Sequence, residues 1–523
     1  MEGNKKVLCR GIEPKMPLGI YSTSVPNTFP LGLLTVMTYA KKNLSDKWKF
    51  EVMSEDNCHS DLGAPLKPNG EIDHKRLQKE DPADCILISV NMSCTAKNAL
   101  KIVREYQELE EEYRPPIYIG GIHAGDAPEE FLNCGKNIIV VCGEGEMSIV
   151  QALEGLEAGE PLDNKPNLIY WDGDEIKRSP TTLLKVPQKM MDSLPIPDYD
   201  LVKYAKINFY FAEALHRGCG YHCTFCRVSG QCRFFSAERS LAGIEDIIIR
   251  GGRRIFIVCD HAGQVMKNLR ALFEGIIELK RKYKVKLFIM IQARITIAEH
   301  LDILELAKRA DIKIICIGFE SPIKEDLEAM KKAIDPTKMI EYARIIQWYT
   351  GIHYMGMIGF PRSIENDKPL YNSEGKLISA RELVAIHLRF MKEVNPEGLQ
   401  PFIFGPLLET GARKILEKEG RIYKFGFEKY SGFYVLSKPD KGIDPLELQE
   451  EVIRLAEDFY SLSNLWYSFW EFRSRVNDPK RLALFLAFRW KGRKITRMFR
   501  KQYEEDFSYQ NKLKAYSILA EVA

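Results

Sequence analysis

The sequence predicts an α/β protein in three parts: a Rossmann-like doubly wound domain, a partial (βα)6 barrel and a helix-rich carboxyl-terminal region. Three observations predict it. Short apolar runs recur from residue 50 to residue 360, each ending in a Gly-rich or polar loop before a helical pattern. Prolines gather at Pro180, Pro187, Pro195 and Pro197, which forbids regular helix and splits the alternation into two blocks. Past residue 400 the alternation gives way to helical patterns that carry Trp466, Trp470 and Trp490. The expected domains are 1–195, 196–400 and 401–523, in keeping with about three domains for 523 residues.

In the first block, residues 30–40 have helical spacing and Phe50–Met53 is a short strand. The continuous apolar run Cys85–Val90 suits a strand covered on both faces. A polar loop from Asn91 to Thr95 leads into a helix over Ala96–Glu112. The strand Ile117–Ile119 ends in Gly120, Gly121, Ile122, His123, Ala124 and Gly125; the strand Ile138–Val141 ends in Cys142, Gly143, Glu144, Gly145 and Glu146 before another helix. Ligands of such sheets bind beyond the carboxyl ends of the strands, which places these loops and Ser89–Thr95 along one rim. Taken alone, His123 reads as a hydrogen-bonded loop histidine more readily than as a ligand.

In the second block the strand Arg254–Val258 ends in Cys259, Asp260 and His261, and Lys286–Ile291 ends in Gln292, Ala293 and Arg294. Lys313–Ile317 ends in Gly318, Phe319, Glu320 and Ser321, and His353–Gly359 ends at Pro361. Helical segments lie between them, at Ala298–Arg309 and Lys324–Lys332. Polar residues stationed at strand ends indicate a (βα) barrel of six units with its site on the carboxyl face. Asp260 suits rim structure and ligand contact equally, while Cys259 and Cys316 lie in apolar runs as small buried hydrophobes. In the tail, Tyr430–Val435 reads as a strand and Pro445–Tyr460 as a helix. From Lys480 to Lys501, nine of 22 residues are Lys or Arg, interleaved with aromatic and aliphatic residues. Such a helix either lies on an anionic membrane surface or buries one face on the barrel.

Composition bounds the function classes. The chain is 45% hydrophobic and 28% charged, with no apolar run long enough to span a bilayer. A net charge of +3 gives no argument for nucleic acid. Met1–Val7 lacks the apolar core of a secretory signal, and twelve scattered cysteines suit reduced thiols in a cytoplasm.

The chemistry concentrates between His216 and Cys226, where Cys219, Cys223 and Cys226 share one loop with Gly218 and Gly220. Glycine lets the backbone curl, so the three thiols can turn toward one soft-metal centre. A structural zinc site takes four ligands, usually as two pairs. Three cysteines instead hold three irons of a [4Fe–4S] cube and leave the fourth iron open. A zinc loop completed by Cys232 or His222 is the competing reading, and it lacks the second pair.

The spacing and setting of this loop resemble the radical S-adenosylmethionine (SAM) superfamily. The resemblance implies that SAM chelates the open iron and is cleaved to a 5′-deoxyadenosyl radical, with Phe225 beside the adenine. It places Glu320, Ser321, Gly356 and Gly359 at the SAM cradle, with Gln292 and Arg294 facing the same mouth; a rim salt bridge is the alternative for Glu320. The first 195 residues resemble the cobalamin-binding domain found ahead of many radical SAM domains, through the Gly120-Gly121 turn and the Gly143-Glu144-Gly145-Glu146 sequence. That implies cobalamin contacts from Ser89, Asn91, Gly120, Gly121, His123, Gly143 and Glu144. Around Asp56 the Asp-x-His-x-x-Gly element that ligates cobalt in methionine synthase is absent, so no histidine ligand is expected. Leu194–Tyr199 resembles the connector, and Phe404–Gly411 with Gly420-Arg421 the closing segment, of the same class.

The resemblance implies a class B-like radical SAM methyltransferase that uses a [4Fe–4S] cluster, SAM and cobalamin to methylate an unactivated carbon. The alternatives are radical cyclisation, coupling or rearrangement without methyl transfer, and a non-catalytic corrinoid or iron–sulfur sensor. RNA methylthiotransferases would need three further cysteines on the first domain and an RNA-binding barrel at the carboxyl terminus; the tail reads helical instead. The expected partners are a small-molecule substrate, hydrophobic if the tail is a guide, and an electron donor such as flavodoxin or ferredoxin, without nucleic acid. The expected location is the cytoplasm, with peripheral membrane contact through residues 480–501.

Overall fold

A computed structural model describes residues 6–19, 22, 30–180, 185–228, 230–332, 334–360, 369–475 and 478–522. Pro361, the expected end of one strand, lies outside the described residues. The chain divides into two compact units, Met1–Pro17 with Asn27–Phe211 and Arg233–Phe235, and Leu18–Pro26 with Ala212–Cys232 and Ser236–Ala523.

The first unit is built on a seven-stranded sheet of β1 (Val7–Glu13), β2 (Trp48–Ser54), β3 (Cys85–Ser89), β4 (Ile117–Gly120), β5 (Ile138–Val141), β6 (Leu168–Asp172) and β7 (Glu175–Arg178), in the order β2-β1-β3-β4-β5-β6-β7. The ladders joining β1 to β5 are parallel; β6 and β7 add antiparallel pairs. The order reverses between β1 and β3, which makes the carboxyl ends of those two strands the switch point where a ligand binds. The helix Ala96–Gln107 buries Ala99, Ile102, Val103 and Tyr106 against Ile12, Ile86, Ile88 and Ile119. Because helices cover the sheet, β3 is buried at every position, which is why its sequence is an unbroken apolar run.

Two differences from the sequence reading have clear causes. The helix from Ala96 ends at Gln107, not Glu112, since Glu108, Glu110, Glu111 and Glu112 would crowd negative charge at a helix carboxyl end. The inner strand β1 escaped the periodicity because its middle residue is Arg10. That guanidinium is wholly buried and donates to Glu51 at 2.5 Å and to Asp81 at 2.9 Å. A buried cation is tolerated when it is paired in this way.

The second unit carries a six-stranded sheet. The chain passes through β8 (Tyr210–Glu213), the two-residue strands β9 (His216–Arg217) and β10 (Arg233–Phe234), then β11 (Arg254–Val258), β12 (Phe288–Ala293), β13 (Ile312–Glu320), β14 (His353–Phe360) and β15 (Gly398–Ile403). The sheet order is β15-β14-β13-β12-β11-β8, with parallel ladders from β11 to β15. Helices alternate with these strands at Ala237–Ile249, Met266–Tyr283, Leu301–Arg309, Pro336–Arg344 and Ala380–Val394. Strands met in chain order with helices between them are the partial (βα) barrel that the sequence predicts. The carboxyl ends of β11 to β15 therefore gather on one face.

The tail is helical at Pro445–Phe459, Leu462–Arg475, Pro479–Glu505 and Phe507–Val522. Tyr430–Val435, expected as a strand, is a series of turns. Its apolar side chains are buried; the Gly432 carbonyl accepts from the Ile403 N–H at the end of β15, and a side chain satisfies two further backbone groups. Gln449, buried in the helix above, accepts from the Val435 N–H at 2.9 Å and donates to the Phe433 carbonyl at 2.9 Å. Tyr509 closes the network by donating toward Val435 and Gln449. Replacing Gln449 with Leu strands two buried backbone groups, so the variant should unfold about 2–4 kcal/mol more easily in urea; a loss below about 0.5 kcal/mol would mean that water replaces the amide.

Candidate active site

The cysteine loop rises from β9; the Cys219 and Cys226 N–H groups bond to the Val228 and Cys223 carbonyls within it, and other backbone groups find partners outside it. Asp260, past the end of β11, accepts from the Gly218 N–H at 2.8 Å, and Gln264 accepts from the Gly220 N–H at 3.1 Å. His216 bonds the carbonyls of Gly218 and His261 through its two ring nitrogens, at 2.9 and 2.8 Å. Thr224 N–H reaches the Met330 carbonyl, and the Thr224 carbonyl accepts from Ala412 N–H. Gly218 has φ +84°, and a Cβ there would lie 2.6 Å from the Gln231 carbonyl oxygen. Asp260 is thereby assigned to rim structure, because its carboxylate fixes the loop.

Cys219, Cys223 and Cys226 are half-buried free thiols. Burial raises Cys223, against which Lys332 and Arg294 pull downward; burial pushes Cys226 up to about 11, with the Cys223 and Cys219 thiols adding to the rise. Metal binding removes those protons. Among the described residues no three His, Cys, Asp or Glu side chains converge on one metal-ion position. The ligands of a cube each take a different iron, so three thiols near enough to act on one another's ionisation suit a cluster. The Cys232 thiol donates instead to the Gly218 carbonyl at 3.5 Å.

The strand ends around this loop separate into groups that face it and groups that support it. The Arg294 guanidinium lies over the Tyr221 ring of the loop, 4.0 Å from its centroid, and Gln292 is half-buried near the end of β12. His261 approaches Tyr221 at 5.7 Å; burial first, then the charges of Arg294, His216 and Lys332, lower its pKa to about 4. Phe225 meets Phe404 edge to face at 4.6 Å. Gly359 is needed beside them, since a side chain there would collide with the Phe404 ring. Gly356 is a buried packing position against Met391 and Phe319. Ser321 is fully buried; its hydroxyl donates to Asp326 at 2.6 Å, accepts from Ile323 N–H and lies 3.4 Å from His387. That hydroxyl is committed to the fold.

Glu320 sits at a register shift between β13 and β14 with φ +63°, a left-handed conformation that costs a non-glycine residue about 1 kcal/mol or more. Its carboxylate accepts from the Lys332 ammonium at 2.5 Å, and Lys332 also bonds the Gly318 carbonyl at 2.7 Å. Both residues are buried. The rim salt bridge is thus real, and Lys332 is the site residue that sequence reading missed; in sequence it is one of two adjacent lysines after a short helix.

On the rim of the first unit, Asn91 donates to Ser89 at 3.1 Å, while Gly120, Gly121 and Gly143 supply bare backbone. Gly121 has φ +104°, and a Cβ would fall 2.6 Å from the Val90 carbonyl. Two expected ligand contacts also have partners within the protein. His123 is buried, with Nδ1 at 3.0 Å from the Ser93 hydroxyl and Nε2 at 3.3 Å from Glu130. Glu144 grips the Arg233 guanidinium through both oxygens at 2.6 Å and accepts from the Val186 N–H. Both brace the rim from behind. Glu13, at the carboxyl end of β1, was missed: its Oε2 is buried with no hydrogen-bond partner, next to Ser89 at the switch point. Burial, opposed by Ser89 and reinforced by Asp56, pushes its pKa up to about 8. An orphaned carboxyl oxygen beside glycine-lined loops is a place for a bound molecule's polar group.

Two measurements follow from these buried charges. Lys332→Met should lower stability by about 3–5 kcal/mol by stranding the Glu320 carboxylate, and adding Glu320→Leu should restore most of the loss in chemical denaturation. Glu13 is neutral when folded below about pH 8 but ionises near 4.5 when unfolded, so folding takes up a proton and stability falls as pH rises through that window. Glu13→Gln should therefore melt higher than the parent at pH 8, by on the order of 2–4 kcal/mol, with the gap closing toward pH 4.5; a pH-independent gap would contradict the buried acid.

No family model matches the chain. It is 25% identical over 352 residues to an uncharacterised methyltransferase of Pyrococcus horikoshii, covering 64% of this chain and 70% of the relative. It is 27% identical over 188 residues to the hopanoid C-2 methylase of Rhodopseudomonas palustris, covering 34% of this chain and 35% of that one. A putative methylthiotransferase of Methanocaldococcus jannaschii is 25% identical over 272 residues, covering 48% and 55% of the two chains. Among solved structures, the cobalamin-dependent SAM radical enzyme OxsB, with aqua-cobalamin and SAM bound, superposes with a TM-score of 0.65 at 18% identity, over 99% of this chain and 75% of that chain. The radical SAM methyltransferase TsrM from Kitasatospora setae, with cobalamin and a [4Fe–4S] cluster bound, gives 0.65 at 14% identity, over 96% of this chain and 100% of the other. Along nearly its whole length the chain has the fold of OxsB and TsrM, and over about two thirds of it the sequence is similar to a protein named as a methyltransferase.

Proposed function

We propose that the chain is a cobalamin-dependent radical SAM methyltransferase that methylates an unactivated carbon of a small molecule. The observation that carries this reading is the three-thiol loop held by Asp260 and Gln264 at the carboxyl face of the parallel sheet. When bound, a [4Fe–4S] cluster with SAM supplies a hydrogen-abstracting radical, and cobalamin supplies a transferable methyl group.

The chain's own residues bind and orient. Cys219, Cys223 and Cys226 hold the cluster. Phe225 and Phe404 offer an aromatic wall for a nucleobase, and Gln292 and Arg294 face the same mouth. Lys332 fixes the Glu320 carboxylate through one oxygen, leaving the other to take a hydroxyl or ammonium of SAM. Ser89, Asn91, Gly120, Gly121 and Gly143 line the corrinoid, while His123 and Glu144 support those loops. Glu13, whose pKa burial pushes up to about 8, would offer its unpartnered oxygen to a polar group of the corrinoid. A small redox protein such as flavodoxin or ferredoxin provides the electron.

Methyl transfer is favoured over cyclisation or coupling because relatives named as methyltransferases and a methylase align with the chain. The methylthiotransferase likeness has less support: the tail consists of helices, with no barrel to bind RNA among the described residues. The test compares the parent with Cys223→Ala under anaerobic reducing conditions. The variant should form no 5′-deoxyadenosine while retaining corrinoid, and SAM labelled in its methyl group should mark a product carbon only with the parent. Loss of corrinoid with persistent SAM cleavage would contradict the assignment.

A further inference from the structure

The helices Leu462–Arg475 and Pro479–Glu505 expose aromatic surface that the fold does not use. Trp466, Tyr467 and Trp470 are 65%, 64% and 53% exposed, and Leu462 is 58% exposed on the same helical face. On the following helix Trp490 is 65% exposed, beside Leu486. Tryptophan is highly buried on average, so three at this exposure mark an interaction surface rather than ordinary scatter.

These side chains are not the packing face of the second helix. That face is the stripe Phe485, Arg489, Gly492, Ile495, Phe499 and Tyr503, which is buried. Phe485 packs against Leu465, Phe469 and Leu482, and Gly492 admits the Tyr460 ring, which any Cβ would strike. The basic residues divide in the same way. Arg489 and Arg493 donate to the backbone carbonyls of Phe459 and Tyr460, and Arg500 pairs with Glu450 and Glu457. Lys480, Lys494, Arg497 and Lys501 remain exposed. From Pro479 to Tyr503 the sequence contains no Asp or Glu. The outward face thus runs from Leu486 and Trp490 to Lys494, Arg497 and Lys501, aromatic and then cationic.

We infer that this face docks on an anionic lipid bilayer, with Trp466, Tyr467, Trp470 and Trp490 at the headgroup boundary and Lys494, Arg497 and Lys501 against the lipid charge. Amphipathic tryptophan and tyrosine rings settle at that boundary, and cationic residues beside them draw the helix to anionic lipid. No described helix is long and apolar enough to cross a membrane, so the contact is with the surface. A second copy fits less well, because a two-fold contact would bring the same cations together. The inference is independent of the cofactor chemistry.

The test sediments the full-length protein with phosphatidylcholine vesicles containing 30% phosphatidylglycerol (about that fraction suffices for a strongly anionic surface) and with pure phosphatidylcholine. The parent should bind the anionic vesicles at least about tenfold more tightly. Trp466→Ser with Trp470→Ser and Trp490→Ser, and separately Lys494→Glu with Arg497→Glu, should each lose at least about tenfold in binding with an unchanged melting temperature. Brominated lipids should quench the tryptophan fluorescence of the parent, a readout that survives if a variant fails to fold. Equal binding to both vesicle types, undiminished binding by well-folded variants, or absence of quenching would overturn the inference. A parent dimer that the tryptophan variant converts to a monomer, without vesicle binding by either, would assign the face to self-association instead.

Discussion

A loop that must turn three thiols toward one centre cannot also pair its backbone in a regular ladder. Its N–H groups still need partners, since a buried unpaired amide costs about as much as several surface interactions contribute. Some lie within the loop, where the Val228 and Cys223 carbonyls take the Cys219 and Cys226 N–H groups, and others lie past β11. Asp260 and Gln264 take the amides of Gly218 and Gly220, and His216 bridges the loop to the His261 carbonyl. The position of the cysteines is therefore set by the parallel sheet beneath them. The sheet in turn is set by buried strand residues, Ile255 and Ile257 on one face of β11 and Ile314 to Ile317 on both faces of β13.

Both units place a paired charge where apolar residues would be cheaper. Arg10 lies inside β1 between Glu51 and Asp81, and Lys332 lies beneath Glu320. Such pairs add little net stability, because desolvation offsets attraction, but breaking one is costly. Their effect is geometric. Lys332 links the Gly318 carbonyl to the Glu320 carboxylate and so holds the left-handed turn that ends β13. Glu13 is the opposite case, a half-buried acid whose Oε2 is buried without a hydrogen-bond partner, at the end of the strand that Arg10 anchors.

Much of this was legible in the sequence, for a physical reason. Cys219, Cys223 and Cys226 stand out by their spacing on a glycine loop, and β3, β5 and β13 by apolar runs that burial on two faces demands. β1 was hidden because its middle residue is a buried arginine, and β7 because all four of its residues are exposed, leaving no pattern to read. Tyr430–Val435 had the composition of a strand, and only the fold shows that a single bond from Ile403 and the Gln449 amide take the place of a ladder. Side-chain direction was the least legible property. His123, Glu144 and Ser321 stand in the right loops, but each satisfies buried neighbours. Glu13 and Lys332 carried no sequence signal, since a lone Glu ending a strand and a Lys after a helix are ordinary on a solvated surface.

The account stands most directly on metal content. The full-length protein would be reconstituted anaerobically with iron, sulfide and hydroxocobalamin, desalted, and assayed for iron, sulfide and cobalt. The account predicts about four irons and about one cobalt per chain, the complement of one [4Fe–4S] cube and one corrinoid. Iron at that level without cobalt would contradict the role given to the glycine-lined rim and Glu13, and zinc bound in preference to iron would contradict the reading of the cysteine loop.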